Sequence, residues 1–353
     1  MHKPLPSNFS IEPPVSAMAL IGHEEAESAL LSAWKSGRLH HAWLIDGPEG
    51  IGKATLAYRF ARFLLSHPDQ NAADSSVAND LSVSADHPAA RQISAKSHPD
   101  LVVLQRPRDE DGKATATVIS VDQVRKVARF LSTTSATGGW RVVIVDTADD
   151  LNRSSANALL KMLEEPPERA VFLLLSHQLG RLLPTIRSRC RRLPLKPLDR
   201  ETLIEVLRQS DIGADDEARG TAADLADGSL GKAIGFADDA AVETIRSVHA
   251  VLGQMPRHDP VAAQKLAESL GRRGAEDRFR MAAALIVDWI ATRMREDARS
   301  GAEPRVLAPW AEVWEKVTRA FAEAERLNLD RTLTLLSVFR IVSAAASHDV
   351  ARV

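Results

Sequence analysis

Seven residues constrain this chain more than any others: Gly47-Pro-Glu-Gly50-Ile-Gly52-Lys53. They follow a short apolar run, His41-Ala-Trp-Leu-Ile-Asp46, and precede a segment in which Leu56, Ala57, Phe60, Ala61, Phe63, Leu64 and Leu65 recur at helical spacing. Strand, glycine loop and helix in that order describe a phosphate-binding loop. The glycines let backbone N–H groups turn inward at the positive end of a helix, and the lysine adds a point charge. Gly47, Gly50, Gly52 and Lys53 are therefore the candidate nucleotide contacts. The competing reading is a strand-to-helix glycine turn with no ligand.

The rest of the first half repeats the alternation. Leu101-Val-Val-Leu104 and Thr117-Val-Ile-Ser120 read as short strands around a charged turn at Asp109-Glu-Asp-Gly-Lys113, with a helix expected from Val121. Trp140-Arg-Val-Val-Ile-Val-Asp146 and Ala170-Val-Phe-Leu-Leu-Leu-Ser176 are apolar enough to be strands buried on both faces. Between them Asn152 can cap a helix over 156–165 that Pro166-Pro167 stops. The pattern predicts a parallel sheet covered by helices on both sides. Residues 66–97 are polar and without periodicity, an exposed excursion to which no function is assigned.

After Pro194 and Pro197 the strand-like runs disappear and Ala, Leu, Arg and Glu dominate. Helices are expected over 202–209 and 217–226, closing near Gly228, then in longer amphipathic segments over 277–295, 310–327 and 333–346. The expected organisation is a flexible leader over 1–18, an α/β phosphate-loop domain over 19–195, a small helical domain over 196–240 and an all-helical domain over 241–353.

Composition excludes several classes. Of 353 residues, 44% are hydrophobic and 26% charged, and the net charge is −2, so neither disorder nor a basic or acidic partner is announced. The single cysteine, Cys190, excludes an intramolecular disulfide and a cysteine-cluster zinc site. The first residues lack a secretory apolar core, and no apolar run reaches the ~18 residues a membrane helix needs. A cytoplasmic protein without membrane contact is expected.

The phosphate loop lacks parts that hydrolysis needs. After Lys53 a magnesium-binding hydroxyl is expected, and Ala54 stands there. Thr55 comes one residue late and points about 100° away on a helix. Asp146 ends its strand where an α/β sheet binds ligands. The next residue ought to be a carboxylate that activates water, yet it is Thr147, whose hydroxyl cannot take a proton at neutral pH. Slow or absent hydrolysis in this chain's own site is the expectation.

Two further runs carry a family resemblance. Ser155-Ala-Asn-Ala-Leu-Leu-Lys-Met-Leu-Glu-Glu-Pro-Pro167 and Leu182-Leu-Pro-Thr-Ile-Arg-Ser-Arg-Cys190 resemble the signature of bacterial clamp-loader subunits, the gamma/tau and delta-prime proteins of DNA polymerase III. The resemblance runs from about Gly22 through Gly228-Ser-Leu, and Asn328-Leu-Asp-Arg resembles the end of delta-prime chains. It implies an AAA+ domain, a helical lid and a helical collar that joins subunits into a ring. Gamma/tau and delta subunits are the implied partners, with the sliding clamp and primer–template DNA engaged through the complex.

The same resemblance makes Arg189 an arginine finger reaching the ATP site of a neighbouring gamma/tau subunit, a role suited to a planar, permanent cation. Otherwise Arg189 is one surface arginine among Arg187, Arg191 and Arg192. Ser176 and His177 fall near the first sensor position and read as structural or polar lining. Where ATP-hydrolysing relatives carry a second sensor arginine, Gly231 stands, a third missing element beside those at Ala54 and Thr147. Many relatives bind zinc after the phosphate-loop helix; here only His67, His87 and His98 stand in that region and no metal site is expected. No cofactor is required, beyond a weakly or statically held ATP or ADP. Such a chain is by itself neither polymerase nor ATPase. The alternatives are an active gamma/tau-type motor and a small-molecule kinase; the second needs a magnesium hydroxyl and a substrate lid that the sequence does not offer.

Overall fold

The computed structural model describes residues 11–68, 78–107, 115–237, 239–299 and 304–350. The chain divides into two compact units: one runs to Asp211 and includes Ala226–Ala233, and the other comprises Ile212–Leu225 and the chain from Ile234 onward.

The first unit opens with α1 (Glu24–Lys35), β1 (Ala42–Asp46), α2 (Lys53–Ser66), α3 (Pro88–Ser94) and β2 (Leu101–Gln105). There follow α4 (Val121–Ser132), β3 (Arg141–Asp146), α5 (Arg153–Glu164), β4 (Ala170–Ser176), α6 (Pro184–Arg187), β5 (Arg191–Pro194) and α7 (Arg200–Gln209). The five strands form one parallel sheet in the order β2-β3-β4-β1-β5. Because side chains alternate along a strand, the sheet buries two cores. Trp43, Ile45, Val142, Ile144, Leu173 and Leu175 pack with Trp34 of α1, Phe60 and Phe63 of α2, and Ile93 of α3. Leu44, Val143, Val145, Phe172 and Leu174 pack with Val124 and Val127 of α4, Leu159 and Leu163 of α5, and Ile186 of α6. This is the expected sheet covered on both sides.

Local chemistry sets the helix starts. Ser120 and Gln123 form a reciprocal capping box at α4: the Ser120 hydroxyl accepts from the Gln123 N–H and the Gln123 side chain accepts from the Ser120 N–H. The expected cap at Asn152 is present, its side chain accepting from the Ser155 N–H at 2.9 Å. The expected strand over 117–120 is not: only Ile119 bridges, to Leu151. With Ser120 already committed to capping α4, the chain has no length left for a ladder.

The polar stretch 66–97 differs from expectation where it is described. It contains α3 and buries Leu81, Ala89, Ala90 and Ile93. Residues 69–77 and the charged turn over 109–113 lie outside the described residues, as do residues 1–10 of the stretch read as a leader. Pro13 to Met18 are held down: the Ser16 and Ala17 N–H groups donate to the Pro13 carbonyl at 2.9 Å, Arg62 donates to the Ala17 carbonyl, and Arg59 donates to that of Met18.

Beyond α7 the described residues are helical: α8 (Asp216–Leu225), α9 (Leu230–Phe236), α10 (Asp239–Gly253), α11 (Pro260–Gly271), α12 (Glu276–Arg299), α13 (Pro304–Leu327) and α14 (Arg331–Val350). The second unit has its own core, in which Val248, Leu270, Ile286, Trp310, Val317 and Phe339 from α10 to α14 meet.

Candidate functional site

The register of the sheet brings the candidate residues together. Asp46 at the end of β1 lies opposite Ser176 at the end of β4, and β4 separates β1 from β3, which ends in Asp146. The glycine loop and both aspartates therefore sit at the carboxyl edge of the sheet. Lys53 is the first residue of α2 and Gly52 caps it with φ 113°, a conformation that favours glycine.

Every carbonyl from Gly47 to Ile51 has a donor within the chain. Lys53 Nζ donates to Gly47 O at 2.7 Å and to Pro48 O at 2.6 Å. Ser229 Oγ donates to Glu49 O at 2.7 Å, the Gly231 N–H to Gly50 O at 2.9 Å, and His23 Nε2 lies 2.9 Å from Ile51 O. Lys53 is buried, and desolvation lowers its pKa to about 8 against the opposing fields of Asp146, Asp149 and others. Two of its three protons are engaged by the loop, which leaves one for an anion.

The altered positions have distinct surroundings. Ala54, on α2, packs against the core between that helix and the sheet. Thr147 is buried after Asp146. Gly231 lies against the loop, where an added Cβ would stand 2.9 Å from Gly50 Cα, a backbone atom. A sensor arginine cannot occupy this backbone without displacing the loop.

Sequence reasoning passed over three carboxylates. Asp149 accepts from Ser176 Oγ at 2.8 Å and from the N–H groups of His177 and Gln178. This pins the end of β4, with the Ser176 hydroxyl buried against Asp149. His177 sits beside the same cluster, its pKa lowered by burial and then by the Lys53 charge. Asp46 receives both Nε and Nη2 of Arg192 at 2.8 Å each, a bidentate pair at the base of the loop. Glu164 pairs with Arg189. The only signal in sequence was the presence of acids near the motifs, since their partners lie 25 to 146 residues away in the chain, the last figure being that of Asp46 and Arg192.

The four clustered arginines are sorted by their neighbours. Arg192 is taken by Asp46, and Arg191 lies over the Trp43 ring at 4.9 Å. Arg187 is exposed. Arg189 donates from Nη1 to Thr185 O at 3.0 Å and pairs through Nη2 with Glu164 Oε1 at 2.8 Å, with both side chains part-exposed, at 36% and 48%. The adjoining Cys190 thiol is pushed up to about 12 by burial and is not a nucleophile.

Among the described residues no group of three or more His, Cys, Asp or Glu is arranged to hold a metal, and no helix is long and apolar enough to cross a membrane. His67, His87 and His98 are each engaged locally, at Phe63 O, Ala89 N and Asp100 N.

Comparison with known proteins follows the same residues. The family described as DNA polymerase III, delta subunit, matches residues 22–199, half of the chain. DNA polymerase III subunit delta' of Pseudomonas aeruginosa is 42% identical over 150 residues, which cover 42% of this chain and 41% of that protein. The delta' subunit of Escherichia coli is 38% identical over 169 residues, 48% of this chain and 46% of that one. The tau subunit of Escherichia coli is 29% identical over 282 residues, 76% of this chain and 41% of that protein. The matches thus span less than half the length of these relatives. Among solved structures, a gamma subunit-related protein from Thermotoga maritima aligns with a TM-score of 0.44 at 18% identity, covering 89% of this chain and 99% of that one. The chain belongs to the DNA polymerase III delta subunit family.

Proposed function

We propose that this chain acts as the delta-prime-type subunit of a clamp loader and takes part in ATP-driven placement of a sliding clamp on primed DNA. In this reading its own phosphate loop is hydrolytically silent, and Arg189 completes the ATP site of a neighbouring gamma/tau subunit. The observation that carries the reading is a contrast within one chain. Ala54 offers no oxygen for a metal, Thr147 no carboxylate for water and Gly231 no cation, while Arg189 is held part-exposed with donors to spare. That donor set does not fit a magnesium nucleotide hydrolysed in place; the remaining proton of Lys53 fits at most a statically held phosphate. Partners in this reading are gamma/tau and delta subunits, with clamp and DNA reached through the assembly.

The test is Arg189→Ala in a loader reconstituted with gamma/tau and delta. Assembly on gel filtration should be intact and clamp- and DNA-stimulated ATP turnover reduced at least about tenfold. Unchanged turnover would remove the finger. A gamma/tau-type motor is the second reading, favoured by the retained Lys53 and Asp146.

A further inference from the structure

Glu164 is the last residue of α5, with Glu165 beyond it. Carboxylates at a helix C-terminus face the negative end of the macrodipole, so helix electrostatics does not explain an acid there. Glu164 instead reaches Arg189 Nη2 at 2.8 Å. Thr185 O takes Nη1 at 3.0 Å from the other side. A free arginine side chain samples many rotamers, and holding it costs entropy that must be met before it can act on a partner. These two acceptors meet that cost in the chain itself. They use two of the five guanidinium N–H groups, Nη1 also reaches Ser188 Oγ at 3.5 Å, and two, including Nε–H, are left for an incoming anion.

We propose that Glu164 is a positioning residue for Arg189: its carboxylate, with the Thr185 carbonyl, presets the guanidinium for a phosphoryl group supplied by a partner subunit. The inference rests on the reading of Arg189 as a finger in trans. The pair is part-exposed, so it is weak enough to adjust as the phosphate arrives. Removing Glu164 costs orientation and leaves the fold unharmed, since a charge opposed to the helix dipole is lost with it.

The experiment is a double-mutant cycle in the reconstituted loader, reading ATP turnover with clamp and primed DNA for Glu164→Ala, Arg189→Ala and the double variant. Glu164→Ala should lower kcat about three- to fivefold, the factor a part-exposed ion pair can supply, with KM for ATP unchanged. Glu164→Gln, which keeps an acceptor oxygen, should fall between Ala and the parent. In the Arg189→Ala background Glu164→Ala should change nothing further. An unchanged kcat in Glu164→Ala, an equal drop in the Arg189→Ala background, or loss of assembly in both Glu164 variants would each overturn the proposal. Unchanged turnover in Arg189→Ala alone would instead sink the reading on which it rests.

Discussion

Asp100 shows how much one buried carboxylate can organise. It accepts from the Ala136 and Thr137 N–H groups and from the Ser135 and Thr137 hydroxyls, and so fixes the turn that leads into β3. Burial acts to raise its pKa, but those four donors together hold it below the ordinary carboxylate value. A depressed folded pKa contributes stability that is present above the unfolded pKa of about 3.9 and lost as pH falls through the folded value. Asp100→Asn should therefore destabilise the chain by about 1–3 kcal/mol at pH 7. The penalty should shrink as pH falls through the lowered folded-state value, as urea unfolding at pH 7 and in acid will show. At this scale the sequence named Lys53 and Asp146 because motifs have fixed spacing, and Arg189 only through the resemblance of its flanking run to clamp-loader subunits. It did not name Asp46, Asp149 or Glu164, whose partners are set by the fold rather than by neighbours in the chain.

Among the elements, long apolar strands and periodic helices were legible because burial on both faces leaves a continuous apolar run, as in Arg141–Asp146 and Ala170–Ser176. β5 was not, since Arg191-Arg192-Leu-Pro is an edge strand whose exposed arginines hide its pairing with β1. α3 was hidden by its length and by the polar sequence around it. The segment Gly228–Gly231 is the most informative element-scale contact, because the close backbone approach to Gly50 falls at Gly231, the position to which the resemblance assigns a sensor arginine in ATP-hydrolysing relatives. Gly231→Arg is expected to lower thermal stability without creating hydrolysis: the new Cβ has no room against Gly50, while Ala54 and Thr147 remain. A stable variant with measurable turnover in isolation would contradict this.

For the whole molecule, the sheet and the helical half followed from the change in residue pattern near Pro194, while the proposed task rests on the runs that resemble clamp-loader subunits. The proposed function adds a division of labour: a silent phosphate loop in this chain and an arginine, Arg189, that serves a neighbouring subunit. The most direct test of that division is ATP turnover by this chain alone and then with gamma/tau, delta, clamp and primed DNA. Silence alone with stimulated turnover in the assembly is the predicted result. Robust hydrolysis by the isolated chain would contradict it and mark the chain as a motor in its own right.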